Sequence, residues 1–267
     1  MTPRQKKVTE IELDRLVDDP EFKAHWREKE EKRLLKREEF LRDLAQRLSP
    51  EKSKQWGLRR VELSRDLAPV EQALRDIGYE IVDSITELKE SGTVYKKAIP
   101  VLLDWLPRVT TVGAKDIIVH ALGAPWAKPR VAHALIEEFL RVPGDPPCAY
   151  KWAIGDMLEI IGDEDVYDDM VTILRDRSHG HSRERFAMAL GKMKNPNAVD
   201  VLIEMLDDEQ IVGPAIVGLK RLKAVKARPF LERFLTHEKT WCRKAASSAI
   251  KAIDKKIERE KQKGIME

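Results

Sequence analysis

From about residue 95 to residue 255 apolar residues return every three or four positions, as in Ala187, Leu190, Met193 and again in Ile216, Leu219, Leu222. That spacing keeps one face of a helix apolar and predicts short amphipathic helices. The alternation expected of half-buried strands is absent from these segments. Helix punctuation agrees. Asn195-Pro196-Asn197 precedes one predicted helix, and Ala227-Arg228-Pro229 opens another, with proline in the first turn, where its missing N–H costs nothing.

The predicted helices recur in pairs. A doublet of an apolar residue and leucine ends the first helix of each pair: Trp105-Leu106, Phe139-Leu140, Ile173-Leu174, Met205-Leu206 and Phe234-Leu235, spaced 34, 34, 32 and 29. A second anchor lies mid-way along the second helix, at Leu122, Leu158, Leu190, Leu219 and Ile250, spaced 36, 32, 29 and 31. Two ladders of matching period define five helical hairpins. None is large enough to bury its apolar face alone, so stacking is the expected solution. Leu74 and Leu88 extend the period to a sixth unit at 67–91, although Gly78 alone separates its helices, which could equally be one.

The second helices carry strings such as Arg183-Glu184-Arg185-Phe186-Ala187-Met188-Ala189-Leu190-Gly191 and Trp241-Cys242-Arg243-Lys244-Ala245-Ala246-Ser247-Ser248-Ala249-Ile250. A basic residue followed by small residues and an Ala-Leu-Gly ending resembles HEAT-like repeats, in particular the short repeats of phycobilin lyase subunits. The acidic turn Leu206-Asp207-Asp208 fits the same pattern, whereas Gly155, Asp156 and Val212 depart from it. The resemblance covers about residues 95–255. It implies an all-α, right-handed α-solenoid of five or six hairpins, and it bears little on function, because one solenoid serves many roles.

Residues 1–66 differ from the rest. Leu34, Leu35, Phe40, Leu41, Leu44 and Leu48 form a narrow apolar stripe among charges. Glu28–Lys32, Glu38–Arg42 and Asp43–Arg47 stand at i,i+4 in the stabilising order, and Ser49-Pro50 ends the helix. A charged helical cap over the first repeat is expected at 1–66, with the repeat domain at 67–267 and fraying ends at 1–20 and 256–267. A projecting arm that binds another chain is the alternative.

Composition narrows the function classes. Of 267 residues 36% are charged and 42% hydrophobic, which excludes wholesale disorder. No run of apolar residues approaches a membrane span, and the charged first 30 residues lack the apolar core of a secretory signal. Cys148 and Cys242 stand too far apart in sequence for a metal knuckle and are too few for a disulfide scaffold. A cytoplasmic protein is expected. Residues 1–66 contain 18 Lys/Arg and 15 Asp/Glu, residues 67–174 contain 10 and 18, and residues 175–267 contain 21 and 13. The acidic middle and basic end can steer an anionic partner, or can balance across neighbouring elements.

Seven positions before each second-helix anchor stand Lys115, Lys151, Arg183, Val212 and Arg243, a basic ladder with one gap. Stacked repeats would align these side chains for an anionic partner. As the resemblance implies, the competing role is pairing with acids of the preceding inter-helix turn, such as Asp176, Asp207 and Asp208. The densest cationic run is Arg175, Arg177, His179, His181, Arg183 and Arg185, expected on a loop where Ser182 caps the following helix. Arginine forks match phosphate and carboxylate geometry. His179 and His181 at i,i+2 without a third ligand make no metal site. Trp105 is expected in the core, Trp152 and Trp241 between repeats. Trp126, beside Lys128 and Arg130, lies in a turn, as a binding aromatic or a wedge against the next repeat. Phosphate-loop, nucleophile-elbow, zinc-protease and dinucleotide motifs are absent, and the acids at 163–169 suit a helix start.

These features predict a non-catalytic scaffold, without cofactor or metal, that binds a protein on the concave second-helix face. Arg175, Arg177, His179, His181, Arg183, Arg185, Lys151, Arg243 and Trp126 are its candidate contacts. A nucleic-acid-binding solenoid using the basic C-terminal half, similar to the HEAT-like DNA glycosylases, is the alternative. A bilin-lyase-like cofactor chaperone is the third. The residues do not fix the oligomeric state.

Overall fold

The computed structural model describes residues 49–81, 84–90, 94–128, 130–143 and 149–264, with single positions at 32, 35, 36, 39 and 43. The chain divides into two units, Met1–Arg65 and Asp66–Glu267. Every regular element among the described residues is helical.

Of the first unit, the start of helix α1 (Pro50–Asp76) is described. Leu58 and Val61 are exposed, and Arg60 lies over the Trp56 ring. Apart from Leu35, which is exposed, the apolar stripe falls outside the described residues, as do the three ion pairs read from the sequence.

The second unit begins inside α1, whose Leu67, Val70 and Leu74 are buried. Gly78, at φ +93°, turns the chain away from the helix axis, a conformation that glycine adopts without a Cβ clash. The sixth unit is therefore broken in two at Gly78. Its second element, α2 (Glu87–Glu90), is a single turn, held by the Glu87 carboxylate accepting the Ser84 N–H at 2.8 Å.

Five full hairpins follow. They pair α3 (Ala98–Trp105) with α4 (Val112–Leu122), α5 (Arg130–Arg141) with α6 (Ala149–Ile161), and α7 (Tyr167–Arg175) with α8 (Glu184–Leu190). The last two pair α9 (Ala198–Glu204) with α10 (Val212–Leu222) and α11 (Arg228–Glu232) with α12 (Thr240–Gln262). Each first helix packs on its own second helix, and each second helix packs on the next, α4 on α6, α6 on α8, α8 on α10 and α10 on α12. This translational stacking makes the unit an α-solenoid.

The anchors explain the stack. Leu122, Leu158, Leu190 and Leu219 have no exposed surface, and Ile250 is buried as well. Leu122 and Leu190 are the last residues of α4 and α8, rather than mid-helix positions. Of the doublets, Phe139, Ile173, Met205 and Phe234 are buried, while Leu140 and Leu235 face outward and Trp105 is half-buried.

Adjacent second helices approach most closely where side chains vanish. A Cβ added at Gly191 would stand 2.4 Å from the Gly218 Cα, and one at Gly155 would stand 2.7 Å from the Arg185 Cβ. At Gly191 the obstacle is backbone, which cannot rotate away.

Two substitutions test this packing by urea unfolding. Leu190→Ala should lower the unfolding free energy by ~2–5 kcal/mol, as expected for a buried leucine. Gly191 has φ −65°, where alanine ordinarily stabilises a chain. Gly191→Ala should instead destabilise by ~1–3 kcal/mol through overpacking against Gly218, and a gain in stability would contradict the close approach.

Candidate functional site

The basic ladder stands at the beginning of the second helices, and the structure gives each rung a partner. Lys115 Nζ donates to Glu138 Oε1 at 2.6 Å. Glu138 belongs to the following repeat and is almost wholly buried; it also accepts from the Tyr150 hydroxyl at 3.0 Å and from Arg141 at 2.7 Å. Lys151 is fully buried, with its ammonium 4.5 Å from the Phe139 ring centroid and 3.2 Å from His179 Nδ1. Because lysine only donates, Nδ1 is the acceptor and the ring proton sits on Nε2, 3.6 Å from Asp176.

Arg183, also without exposed surface, donates from Nε to the Gly180 carbonyl and from Nη1 to the Leu174 carbonyl, each at 3.0 Å. Nη1 also reaches Asp208 Oδ2 at 2.8 Å, and Nη2 reaches Gln210 at 2.9 Å. Burial pushes the Asp208 carboxyl up, but the Arg183 hydrogen bond, the Gln210 N–H and the charges of Arg183 and Arg177 outweigh it and hold it below its ordinary value.

Lys115, Lys151 and Arg183 thus each reach forward, to Glu138, His179 and Asp208 of the next repeat. Asp208, one of the acids expected to pair with a rung, does pair with Arg183, but from the following repeat rather than from the turn before that arginine. That turn supplies Arg183 only with carbonyls, because the arginine runs along the repeat interface. Nor do these rungs form a stripe of free cations, since Lys151 and Arg183 face inward. Val212, the gap, is buried.

The cationic run is folded onto the chain as well. Arg175 ends α7 and grips Glu204 with Nε and Nη2, at 3.1 and 2.7 Å. Residues Arg177–Arg183 form a 3-10 segment kinked at Gly180 (φ 53°), not an open loop. Ser182 is buried in it, and Arg183 occupies the N-cap position of α8, so Ser182 does not cap that helix. His181 donates to Glu184 at 2.8 Å. His179 is shielded edge-on by Phe139. Arg185 Nε stands 2.6 Å from Asp156, and its guanidinium covers the Trp152 ring at 4.6 Å. Of this run Arg175, Arg177 and His181 are exposed, the first and last held by Glu204 and Glu184 and Arg177 standing 3.6 Å from Asp208.

Trp126 is half-buried, its ring edge-on to Tyr95 at 4.8 Å, and so is a wedge within the fold. Trp152, whose Nε1–H donates to the His181 carbonyl, and Trp241, which covers Gly213, bridge neighbouring repeats yet remain 37% and 50% exposed. Arg243, the last rung, donates Nη1 to the His237 and Glu238 carbonyls at 2.6 and 2.8 Å and Nη2 to Thr240 Oγ1 at 2.9 Å. It lines an open pocket of about 520 Å³ with Leu235, Lys244, Ser247, Ser248 and Lys251. Sequence reasoning missed these neighbours, as it missed Glu138, Tyr150 and Gln210. An offset of 23 to 28 residues from rung to partner was the available signal.

Stacked hairpins joined by polar rungs define a helical-repeat domain. Residues 132–212, from inside α5 to the first residue of α10, match the family model for HEAT repeats. Over those residues the chain is similar to HEAT repeats, and the stacked helical hairpins on either side fit a HEAT-like repeat protein. No curated protein matches the chain. Among the described residues no helix is long and apolar enough to cross a membrane.

These ion pairs and the buried imidazole give three predictions. Arg183→Met should cost ~3–5 kcal/mol in urea unfolding because it strands Asp208, and Asp208→Leu added to it should recover much of the loss. Arg175→Ala, at an exposed pair, should cost no more than ~1 kcal/mol. Burial, then the Lys151 charge, lowers the His179 pKa from its ordinary 6.5, against the pull of Asp176. The unfolded chain therefore binds the proton first as pH falls below 6.5, and folding stability drops from there down to the folded-state pKa. Melting curves between pH 7.5 and 5.5 should fall less steeply for His179→Gln, which keeps an acceptor for Lys151 and does not titrate.

Proposed function

We propose that the chain is a non-catalytic cytoplasmic scaffold that binds a protein along the exposed side of its second helices. HEAT repeats commonly serve as protein-interaction scaffolds. The observation that carries the reading is the exposure of two tryptophans, Trp152 and Trp241, both in the first turns of second helices. Tryptophan on a rigid helix offers a large apolar surface with few rotamers to freeze, the usual composition of a binding hot spot. Val112, the first residue of α4, is exposed in the same way. The rungs support the reading by keeping these helix starts fixed.

A photo-cross-linking side chain at position 112, 152 or 241 should capture the same protein from cell extract, and one at Asp169, on the exposed side of first helix α7, should not. Trp152→Ala and Trp241→Ala should each weaken that complex by about tenfold or more, as hot-spot residues do, while leaving the circular-dichroism spectrum unchanged. Equal capture from both faces would overturn the assignment of the surface. The basic C-terminal half is the observation that favours nucleic acid instead. Tight binding of an oligonucleotide at ~50 mM salt that falls steeply with added salt would replace the scaffold reading.

A further inference from the structure

Four glycines that stand one, four or eight residues after a rung face the next second helix. Gly213 lies under Trp241, Gly155 lies against Arg185, and Gly123 and Gly191 lie against Met157 and Gly218. At these four points the contact depends on glycine, while other interior repeats carry larger residues in the same register, Trp152 and Glu159 in α6 and Lys220 in α10. In α12 the same positions are Lys244, Ser247 and Lys251, and they line the open pocket with Arg243, Ser248 and Leu235.

The pocket combines three cations and two hydroxyls with no carboxylate. Among the described residues neither Lys244 nor Lys251 has an acidic partner. The three hydrogen bonds of Arg243 leave its Nε–H and one Nη2–H unengaged, since a guanidinium carries five donors. Inside the stack every such gathering of cations encloses a carboxylate: Lys115 and Arg141 on Glu138, Arg183 and Arg177 on Asp208, and Arg185, Lys192 and Arg221 on Glu159. This pocket carries one sign, in the place where an interior rung meets the acid of the following repeat.

We propose that this pocket on α12 binds a phosphate monoester carried on a segment of a protein partner. A dianion with three terminal oxygens matches three cations and two hydroxyl donors, whereas a nucleic-acid phosphodiester brings one charge and needs a track of sites. Leu235, 44% exposed on the pocket wall, offers an apolar contact to the residue beside the phosphorylated one. The phosphate site stands on the pocket alone; only its carriage on a protein rests on the scaffold reading.

The test is a titration of the ¹⁵N-labelled full chain, followed at the Ser247 and Ser248 amide signals. The probes are inorganic phosphate, a leucine-flanked phosphoserine peptide, the same peptide unphosphorylated, and an oligothymidylate. Phosphate should give saturable shifts with Kd of ~1–10 mM, and the phosphopeptide should bind tighter by about tenfold. Lys244→Ala and Lys251→Ala, both at exposed side chains, should each weaken both by about threefold or more with an unchanged circular-dichroism spectrum. No saturable shift, or equal binding of the unphosphorylated peptide, would overturn the site. Inorganic phosphate binding as tightly as the phosphopeptide would overturn the protein source, and tighter binding of the oligothymidylate would overturn the choice of a monoester. Neither result depends on the cross-linking at Trp152, so the two readings fail separately.

Discussion

A charge buried at the start of a helix needs a partner, and in this chain the following repeat provides it. Lys115, Lys151 and Arg183 lie on the interfaces between repeats, and a single hairpin contains too little chain to surround them. Breaking such a pair by removing one member costs far more than the pair contributes against an apolar replacement. The rungs therefore act less as glue than as a condition on register: repeats slid past one another would leave an ammonium or guanidinium without an acceptor. Apolar anchors alone tolerate such sliding, because leucine packs on leucine in many registers.

Glycine and alanine on the second helices let the rungs close. Where Gly191 meets Gly218 the backbones nearly touch, which brings Asp208 within reach of Arg183. Packing distance and charge pairing are thus one constraint read in two ways. The tryptophans enter here too. Trp152 and Trp241 lie over the seams between repeats, tied down by the His181 carbonyl and by Gly213, and still present half a ring or so to solvent. A partner that grips them grips two repeats at once.

The fold was legible in the sequence because burial of apolar side chains has a period, and Leu122, Leu158, Leu190 and Leu219 kept it. Even Leu140 and Leu235, which turned outward, marked the right helix ends. The cations were not legible in the same way. Position on a helix tells which face Arg183 occupies, but not whether a long side chain runs to water or folds back along the interface. Its acceptors are two carbonyls of its own turn and two side chains of the next, and no local spacing encodes carbonyls. The pocket on α12 was not legible, because the positions of Lys244, Ser247 and Lys251 carry residues as different as Gly213, Ile216 and Lys220 one repeat earlier, and only the fold brings them together with Arg243 and Leu235. The stripe at 34–48 falls outside the described residues, apart from Leu35.

The forward direction of the rungs gives the stack a polarity in time. On the ribosome the N-terminal repeats emerge first, and repeat three finishes its second helix about 17 residues before Asp208 leaves the exit tunnel, a delay of about a second or more at ordinary synthesis rates. Until then Arg183 has only carbonyls to hold it. A hairpin whose rung is Lys115, Lys151 or Arg183 thus stays loosely closed until its successor arrives, and a chain cut short after one of these three ends on a cation without its acceptor, which marks it as unfinished.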